Sequence, residues 1–186
     1  GRLLWKTKAE TRFTPEINLM PGKNYDFLIL GGGIAGTTAA ETIRRKLPNA
    51  SIAIATDESE RLYSRVLLPH FLRQKITIDQ VYLRTSQLYL DNKIELLISH
   101  KVVGIDTNQK TVEFENGETV AYSKVLIATG GHVKKLDIAG SNLQGIFYLR
   151  TIADVKAISE QVSQVKSGVV IGGGFIALEF AHSFAV

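Results

Sequence analysis

Residues 25–36 read YDFLILGGGIAG, an apolar run that ends in three consecutive glycines. No other feature narrows the possible folds as much. The apolar run to Leu30 reads as a strand. The segment after the glycines continues to Leu47 and is stopped by Pro48, the length and stop signal of a helix. Ile52–Ala55 then supplies a second short apolar strand, so the sequence predicts a strand, tight turn, helix and strand. In this context the spacing Gly31-x-Gly33-x-x-Gly36 carries meaning. Gly31 allows the tight turn, Gly33 lets main-chain N–H groups approach a pyrophosphate, and Gly36 lets the helix pack closely on the strand. The N–H groups of Ile34, Ala35 and Gly36 open the helix and serve an anion there. The alternative for such a stretch is a glycine-rich turn that only packs.

The acid expected for a ribose hydroxyl, at the end of the second strand, falls near Thr56, and the sequence places Asp57 and Glu58 just beyond it. Glu58 is the favoured candidate, with Asp57 beside it; the plain alternative is that both are solvated loop acids.

Further along, 84–92 reads as a helix. Ile94–Ile98, Lys101–Ile105, Thr111–Glu115 and Thr119–Ala121 read as short strands, with Asn116-Gly117 a strong hairpin signal. Lys124–Ala128 is a continuous apolar strand ending in Thr129-Gly130-Gly131. After a loop over 131–145, a helix is expected at about 152–165 and a buried strand at Val169–Ile171. That strand leads into Gly172-Gly173-Gly174-Phe175-Ile176-Ala177, a second turn with Ala177 at the third glycine position. Gly172, Gly174 and Ala177 are its nucleotide-turn positions. The acid that separates NADH from NADPH falls about 20 residues further on, past Val186.

The expected fold class is therefore α/β. A Rossmann-like domain, built from a parallel sheet and a small antiparallel β layer, is followed by the start of a second Rossmann domain. The expected divisions are 1–24 as an extension or linker, 25–148 as the first nucleotide domain and 149–186 as the beginning of the second. An ordered arm is the alternative for 1–24, because Trp5, Phe13, Ile17 and Leu19 favour cover.

Composition closes several routes. The net charge is +4, and three of those charges sit in the first 24 residues, so no nucleic-acid footprint is expected. No apolar run is long enough to span a membrane and no signal-peptide pattern opens the chain, which makes a cytoplasmic location the expectation. The chain holds no cysteine, which excludes disulfides and redox-active cysteine pairs, and no metal site is expected.

Two dinucleotide turns separated by a βββ layer and the stretch Ile127-Ala128-Thr129-Gly130-Gly131 resemble the two-dinucleotide-binding-domain flavoproteins, the FAD-dependent pyridine-nucleotide oxidoreductases. The resemblance runs from Tyr25 to the C-terminus and covers roughly the first half of such a protein. It implies FAD at the first turn and NAD(P)H at the second. Leu62-Tyr63-Ser64-Arg65-Val66-Leu67-Leu68-Pro69 is similar to the Tyr-x-Arg-Pro-x-Leu segment of rubredoxin and ferredoxin reductases and nitrite reductase flavin domains, with valine in place of proline. The resemblance puts Arg65 along the FAD phosphates and His70 at a position near the flavin that several members fill with lysine. It puts the main chain of Val102 at the adenine, Ala128, Thr129 and Gly130 beside FAD, and Glu179 beside the nicotinamide. For His70 and Glu179, the catalytic candidates, a structural histidine and a helix-surface charge remain the alternatives.

Without cysteine, electrons that reach the flavin must leave from it. The implied acceptors are a rubredoxin- or ferredoxin-like carrier, a second redox module, or oxygen. The expected function is thus an FAD-dependent NAD(P)H oxidoreductase. The competing reading is a non-catalytic FAD- or nucleotide-binding fragment, or a subunit that needs a complementing chain or a second copy of itself.

Overall fold

In the computed structural model, residues 23–162 and 164–185 are described. They form two compact units, each discontinuous in sequence. One gathers the chain up to Tyr63 with Leu83–Gly131, and the other gathers Ser64–Tyr82 with the chain from His132 onward. Asn24 opens the first strand, and residues 1–22 of the expected extension lie outside the described residues.

The first unit is built on one six-stranded sheet of β1 (Asn24–Leu30), β2 (Ile52–Ala55), β3 (Ile94–Leu97), β4 (Val102–Asp106), β5 (Thr111–Phe114) and β6 (Thr119–Ile127), in the order β3-β2-β1-β6-β5-β4. β1 pairs in parallel with both β2 and β6, and β2 pairs in parallel with β3. β4, β5 and the first part of β6 form an antiparallel meander. The antiparallel layer expected from sequence is therefore continuous with the parallel sheet. Thr119–Ala121 and Lys124–Ala128, read as two strands, are one. Residues 119–121 pair antiparallel with β5, and residues from Ala121 to Ile127 pair in parallel with β1. The strand continues through the polar Ser123 because Tyr122 pairs with Tyr25 of β1 and its N–H donates to the Lys110 carbonyl on the other side.

The apolar run of β1 buries both of its faces, as alternation along a strand requires. Leu28 and Leu30 point into a cluster with Ala53, Ala55, Leu97, Val112 and Phe114. Ile29 points the opposite way, onto Ala40, Ile52, Ile54, Tyr89 and Ile94. That second face is covered by α1 (Ile34–Lys46), whose last turn carries Arg44, Arg45 and Lys46, charges that suit the negative end of a helix. Arg44 also donates to the carbonyls of Pro48, Asn92 and Lys93, tying the end of α1 to the approach to β3.

The second unit holds the three-residue turn Arg65–Leu67, then α2 (Leu68–Leu72) and α3 (Ile78–Val81). α4 (Ser86–Asp91) lies back in the first unit, capped by the Thr85 hydroxyl. α5 (Ile152–Val162) and α6 (Phe175–Ala185) complete the second unit, and both pack on α2. α2 and α3 were not anticipated, because each is too short to show a helical period. α3 is instead marked by a capping box, Thr77 with Gln80. The expected strand Val169–Ile171 is absent. No strand among the described residues pairs with it, and Val169 and Ile171 are 89% and 74% exposed.

Leu28→Ala removes a fully buried side chain at the centre of the sheet. It is expected to lower the unfolding free energy by about 3 kcal/mol in urea titration, and a loss below about 1 kcal/mol would contradict this core assignment.

Candidate functional site

In the first unit, β1, β2 and β6 run in the same direction, so their carboxyl ends share one edge of the sheet. From β1 the chain goes first to one side, through β2 and β3, and later to the other, to β6. The space outside the carboxyl ends at such a switch in strand order is where open α/β sheets bind ligands. The first glycine turn stands there.

Its three glycines are needed for three different reasons. The Gly31 N–H donates to the Ala55 carbonyl at 2.7 Å, and the Ala128 N–H donates to the Leu30 carbonyl at 2.8 Å, so the turn is clamped between β2 and β6. Gly31 adopts φ +119°, and a Cβ on it would lie 2.2 Å from the Ala128 carbonyl oxygen. A Cβ on Gly36 would lie 2.0 Å from the Gly31 carbonyl oxygen, so α1 can rise this close to β1 only without a side chain there. Gly33 has ordinary φ (−72°) and open space, with nothing within 4 Å of the position its Cβ would take. Packing requires no glycine at 33, and the main chain there is left open to the approach of a ligand.

The same residue is the N-cap of α1, and it offers no side chain to the first N–H groups of the helix. No acidic residue occupies the first turn either. Ile34 and Ala35 are exposed, and their N–H groups lie among the four that every helix N-terminus leaves without an intrahelical acceptor. The cradle therefore fits a pyrophosphate on main-chain donors.

At the end of β2, Thr56 is buried and held on both sides, its N–H donating to the Leu97 carbonyl at 2.9 Å and its carbonyl accepting from the His100 N–H at 2.8 Å. Of the two acids, Asp57 is exposed, whereas Glu58 is partly buried with its carboxylate accepting from the Tyr63 hydroxyl. Glu58 is thus the more firmly oriented of the pair. Tyr63 is a holder that sequence reasoning missed, because a contact across five residues of loop has no period. Val102 packs against the cluster containing Leu30, Ala55 and Leu97. Residues 98–100, just before it, run beside 56–58, with the Ser99 N–H donating to the Glu58 carbonyl at 3.0 Å. Gly31, Gly33, Ile34, Ala35, Gly36, Asp57, Glu58, Ala128, Thr129 and Gly130 thus fall at one edge, and the chain through 98–100 connects Val102 to it.

The remaining candidates belong to the second unit. Arg65 is exposed and donates through Nη1 to the Arg150 carbonyl at 2.6 Å. His70 lies on α2, and its Nδ1 is buried without a partner among the described residues. Gly172 repeats the turn conformation of Gly31 with φ +135°. A Cβ on it would sit 3.4 Å from the Ala177 Cβ, so the methyl at the third position is accommodated here, whereas one at Gly36 is not. Nothing lies within 4 Å of a Cβ on Gly174, the counterpart of Gly33. Glu179 is on α6, with Oε2 at 3.6 Å from Nη2 of Arg73, a residue the sequence did not single out. Among the described residues no His, Asp or Glu cluster suits a metal ion, and no helix is long and apolar enough to cross a membrane.

A parallel sheet with a glycine turn clamped at its switch point, and an uncapped helix rising from it, defines a dinucleotide-binding α/β protein. Comparison with known proteins narrows this class. Residues 25–186 match the family model described as pyridine nucleotide-disulphide oxidoreductase, and the chain belongs to that family. It is 34% identical over 157 residues to a rubredoxin-NAD(+) reductase of Pseudomonas putida, covering 84% of this chain and 41% of that protein. It is 31% identical over 153 residues to the ferredoxin–NAD(+) reductase component of a biphenyl dioxygenase system of Paraburkholderia xenovorans, covering 82% of this chain and 38% of the relative. Among solved structures, the NADH:rubredoxin oxidoreductase of Clostridium acetobutylicum superposes with a TM-score of 0.80 at 28% identity, over 88% of this chain and 42% of that one. The chain spans about two-fifths of the length of these relatives.

Gly33→Ala separates packing from binding. It is expected to leave the unfolding midpoint of the ligand-free chain unchanged and to weaken FAD binding at least about tenfold in fluorescence titration. Gly31→Ala should instead destabilise the chain even without ligand.

Proposed function

We propose that this chain carries the FAD-binding part, and the opening of the NAD(P)H-binding part, of an FAD-dependent NAD(P)H oxidoreductase. In this reading the divisions are 25–148 and 149–186, and electrons pass onward to a protein carrier of the rubredoxin or ferredoxin kind. A second redox module and oxygen are the other acceptors the chemistry allows. The observation that supports it most is the open, uncapped main chain at Gly33 on the carboxyl edge of β1 and β6. The relatives named for NAD(+)-linked rubredoxin and ferredoxin reduction support the choice of donor and acceptor class.

FAD, when bound, supplies the step between two-electron and one-electron chemistry, and the protein supplies binding and orientation. The amides of residues 33–36 hold the pyrophosphate, and Glu58, oriented by Tyr63, receives a ribose hydroxyl. Main chain at Val102 and at 128–130 lines the adenine and the turn beside FAD. Arg65 adds a fixed cation, and its present bond to the Arg150 carbonyl is the one a phosphate would compete with. His70 keeps a buried ring nitrogen available to hydrogen-bond a flavin heteroatom. Glu179 faces the nicotinamide, and Gly172, Gly174 and Ala177 form the turn for its dinucleotide. None of these 186 residues is a cysteine, so the chain's own side chains contribute no thiol relay.

One observation favours the second reading, a unit completed by another chain or another copy. On α6, Phe175, Ile176 and Leu178 are 90%, 66% and 61% exposed, an apolar surface larger than scattered single residues.

Absorbance of the FAD-loaded chain, before and after anaerobic NADH and then NADPH, tests the proposal. Bleaching of the flavin bands is expected. Flavin that stays oxidised with both would favour the binding-module reading, and a chain that takes up no FAD would overturn both.

A further inference from the structure

Residues 98–101 join β3 to β4, and the chain kinks within them. Ser99 adopts φ +56°, a left-handed conformation that side chains disfavour. The kink is tied to the end of β2, because the Ser99 N–H donates to the Glu58 carbonyl at 3.0 Å and the His100 N–H to the Thr56 carbonyl at 2.8 Å. The His100 ring spans the kink. Its Nδ1 lies 2.7 Å from the Ile98 carbonyl oxygen, and its Nε2 lies 3.1 Å from Oε2 of Glu118, in the turn between β5 and β6. The side chain is only 16% exposed, and its ring stands perpendicular to that of the buried Phe114.

The two ring contacts fix a proton count. A carbonyl oxygen accepts and cannot donate, so the first contact requires a hydrogen on Nδ1. A carboxylate also accepts only, so the second requires a hydrogen on Nε2, or else a proton on Glu118 itself. In both arrangements the pair holds one proton more than a neutral imidazole beside a carboxylate. Without that proton the Nε2 lone pair faces the carboxylate, and the contact becomes repulsive. The other charged groups around this joint are Lys101, bonded to Glu115 at 2.6 Å, and Asp57 and Glu58 at the end of β2. The neutral Asn116 amide donates to the same Glu118 oxygen at 2.8 Å. Lysines and carboxylates ordinarily keep their charge around neutral pH, whereas an imidazole changes its charge there.

We infer that His100 is a positioning residue of the proposed FAD site: its protonated bridge to Glu118 fastens 98–101 to the β5–β6 turn, so that the Val102 main chain and residues 56–58 are presented to FAD together. This rests on the proposed placement of FAD along this edge, and it adds a dependence on protons. FAD binds more tightly while the bridge holds its proton, and affinity falls as rising pH removes it. By reciprocity, bound FAD favours the protonated bridge.

The test is fluorescence titration of the chain with FAD between about pH 6 and 8.5, in wild type, Glu118→Gln and His100→Asn. A glutamine amide accepts from an Nε2–H and donates to a bare Nε2, so Glu118→Gln keeps the tie at either protonation state. An asparagine at 100 keeps a donor for the Ile98 carbonyl and is too short to reach Glu118. Wild type should match Glu118→Gln at the acid end and His100→Asn at the alkaline end, and the two variants should differ by about fivefold throughout. Any slope the variants share belongs to His70, His132 and His182. Hydrogen exchange of the ligand-free chain, corrected for the intrinsic effect of pH, reads the bridge without FAD. Protection at 99–101 and 115–118 should fall toward the alkaline end in wild type and hold in Glu118→Gln. If protection behaves so and wild type still follows Glu118→Gln in FAD affinity at every pH, the bridge does not reach the site and its positioning role is overturned. If protection in wild type does not fall, the proton does not hold the joint, and the inference is overturned whatever the titrations give. If the chain takes up no FAD at the acid end while protection behaves as expected, the placement of FAD along this edge fails, and the inference with it.

Discussion

The carbonyl of Ala128 stands where a side chain at residue 31 would have to be. This close approach follows from β6 pairing directly with β1 up to Ile127, and it leaves the chain between β1 and α1 no room except through glycine. Once the turn is forced, α1 must start at once and climb against β1, which removes the side chain at Gly36 as well. What remains is a helix N-terminus with unsatisfied donors, open at Gly33, facing the edge of the sheet where strand order reverses. The site is thus a consequence of strand pairing, and the acids at the end of β2 are carried to the same edge by the parallel register of β1 and β2.

The parts legible in the sequence are those with a local cause. β1, α1 and β2 announce themselves through an apolar run, a glycine turn and Pro48, and the helix at 86–91 and the hairpin at Asn116-Gly117 through equally short-range signals. Val169–Ile171 shows the limit. Its apolar residues read as a buried strand, yet a strand exists only with a neighbour to pair with, and none of the described residues supplies one. β6 shows the reverse error, two strands read where pairing on both sides joins them. α2 and α3, of five and four residues, are held by packing and by a capping box, and no periodicity window can find them.

For the candidate site, main-chain roles were readable, because glycine spacing encodes them. Side-chain pairs were not. Tyr63 on Glu58 and Arg73 on Glu179 connect residues through folded contact, and nothing in either residue's sequence neighbourhood marks the partner. The two pairs differ in kind: Glu58 accepts a hydrogen bond from the more buried Tyr63 hydroxyl, whereas Glu179 only approaches the buried Arg73 guanidinium, at 3.6 Å.

In the proposed function, a dinucleotide lies along the carboxyl edge of β2, β1 and β6, and every other assigned role follows from that placement. Hydrogen exchange of the chain with and without FAD tests this directly. The account predicts protection by FAD at residues 31–36, 56–58 and 128–130, with little change at the opposite edge, where Asp26, Leu47–Ala50 and Ser123-Lys124 line a shallow opening. Protection confined to that opposite edge, or unchanged exchange at 31–36 under saturating FAD, would contradict it.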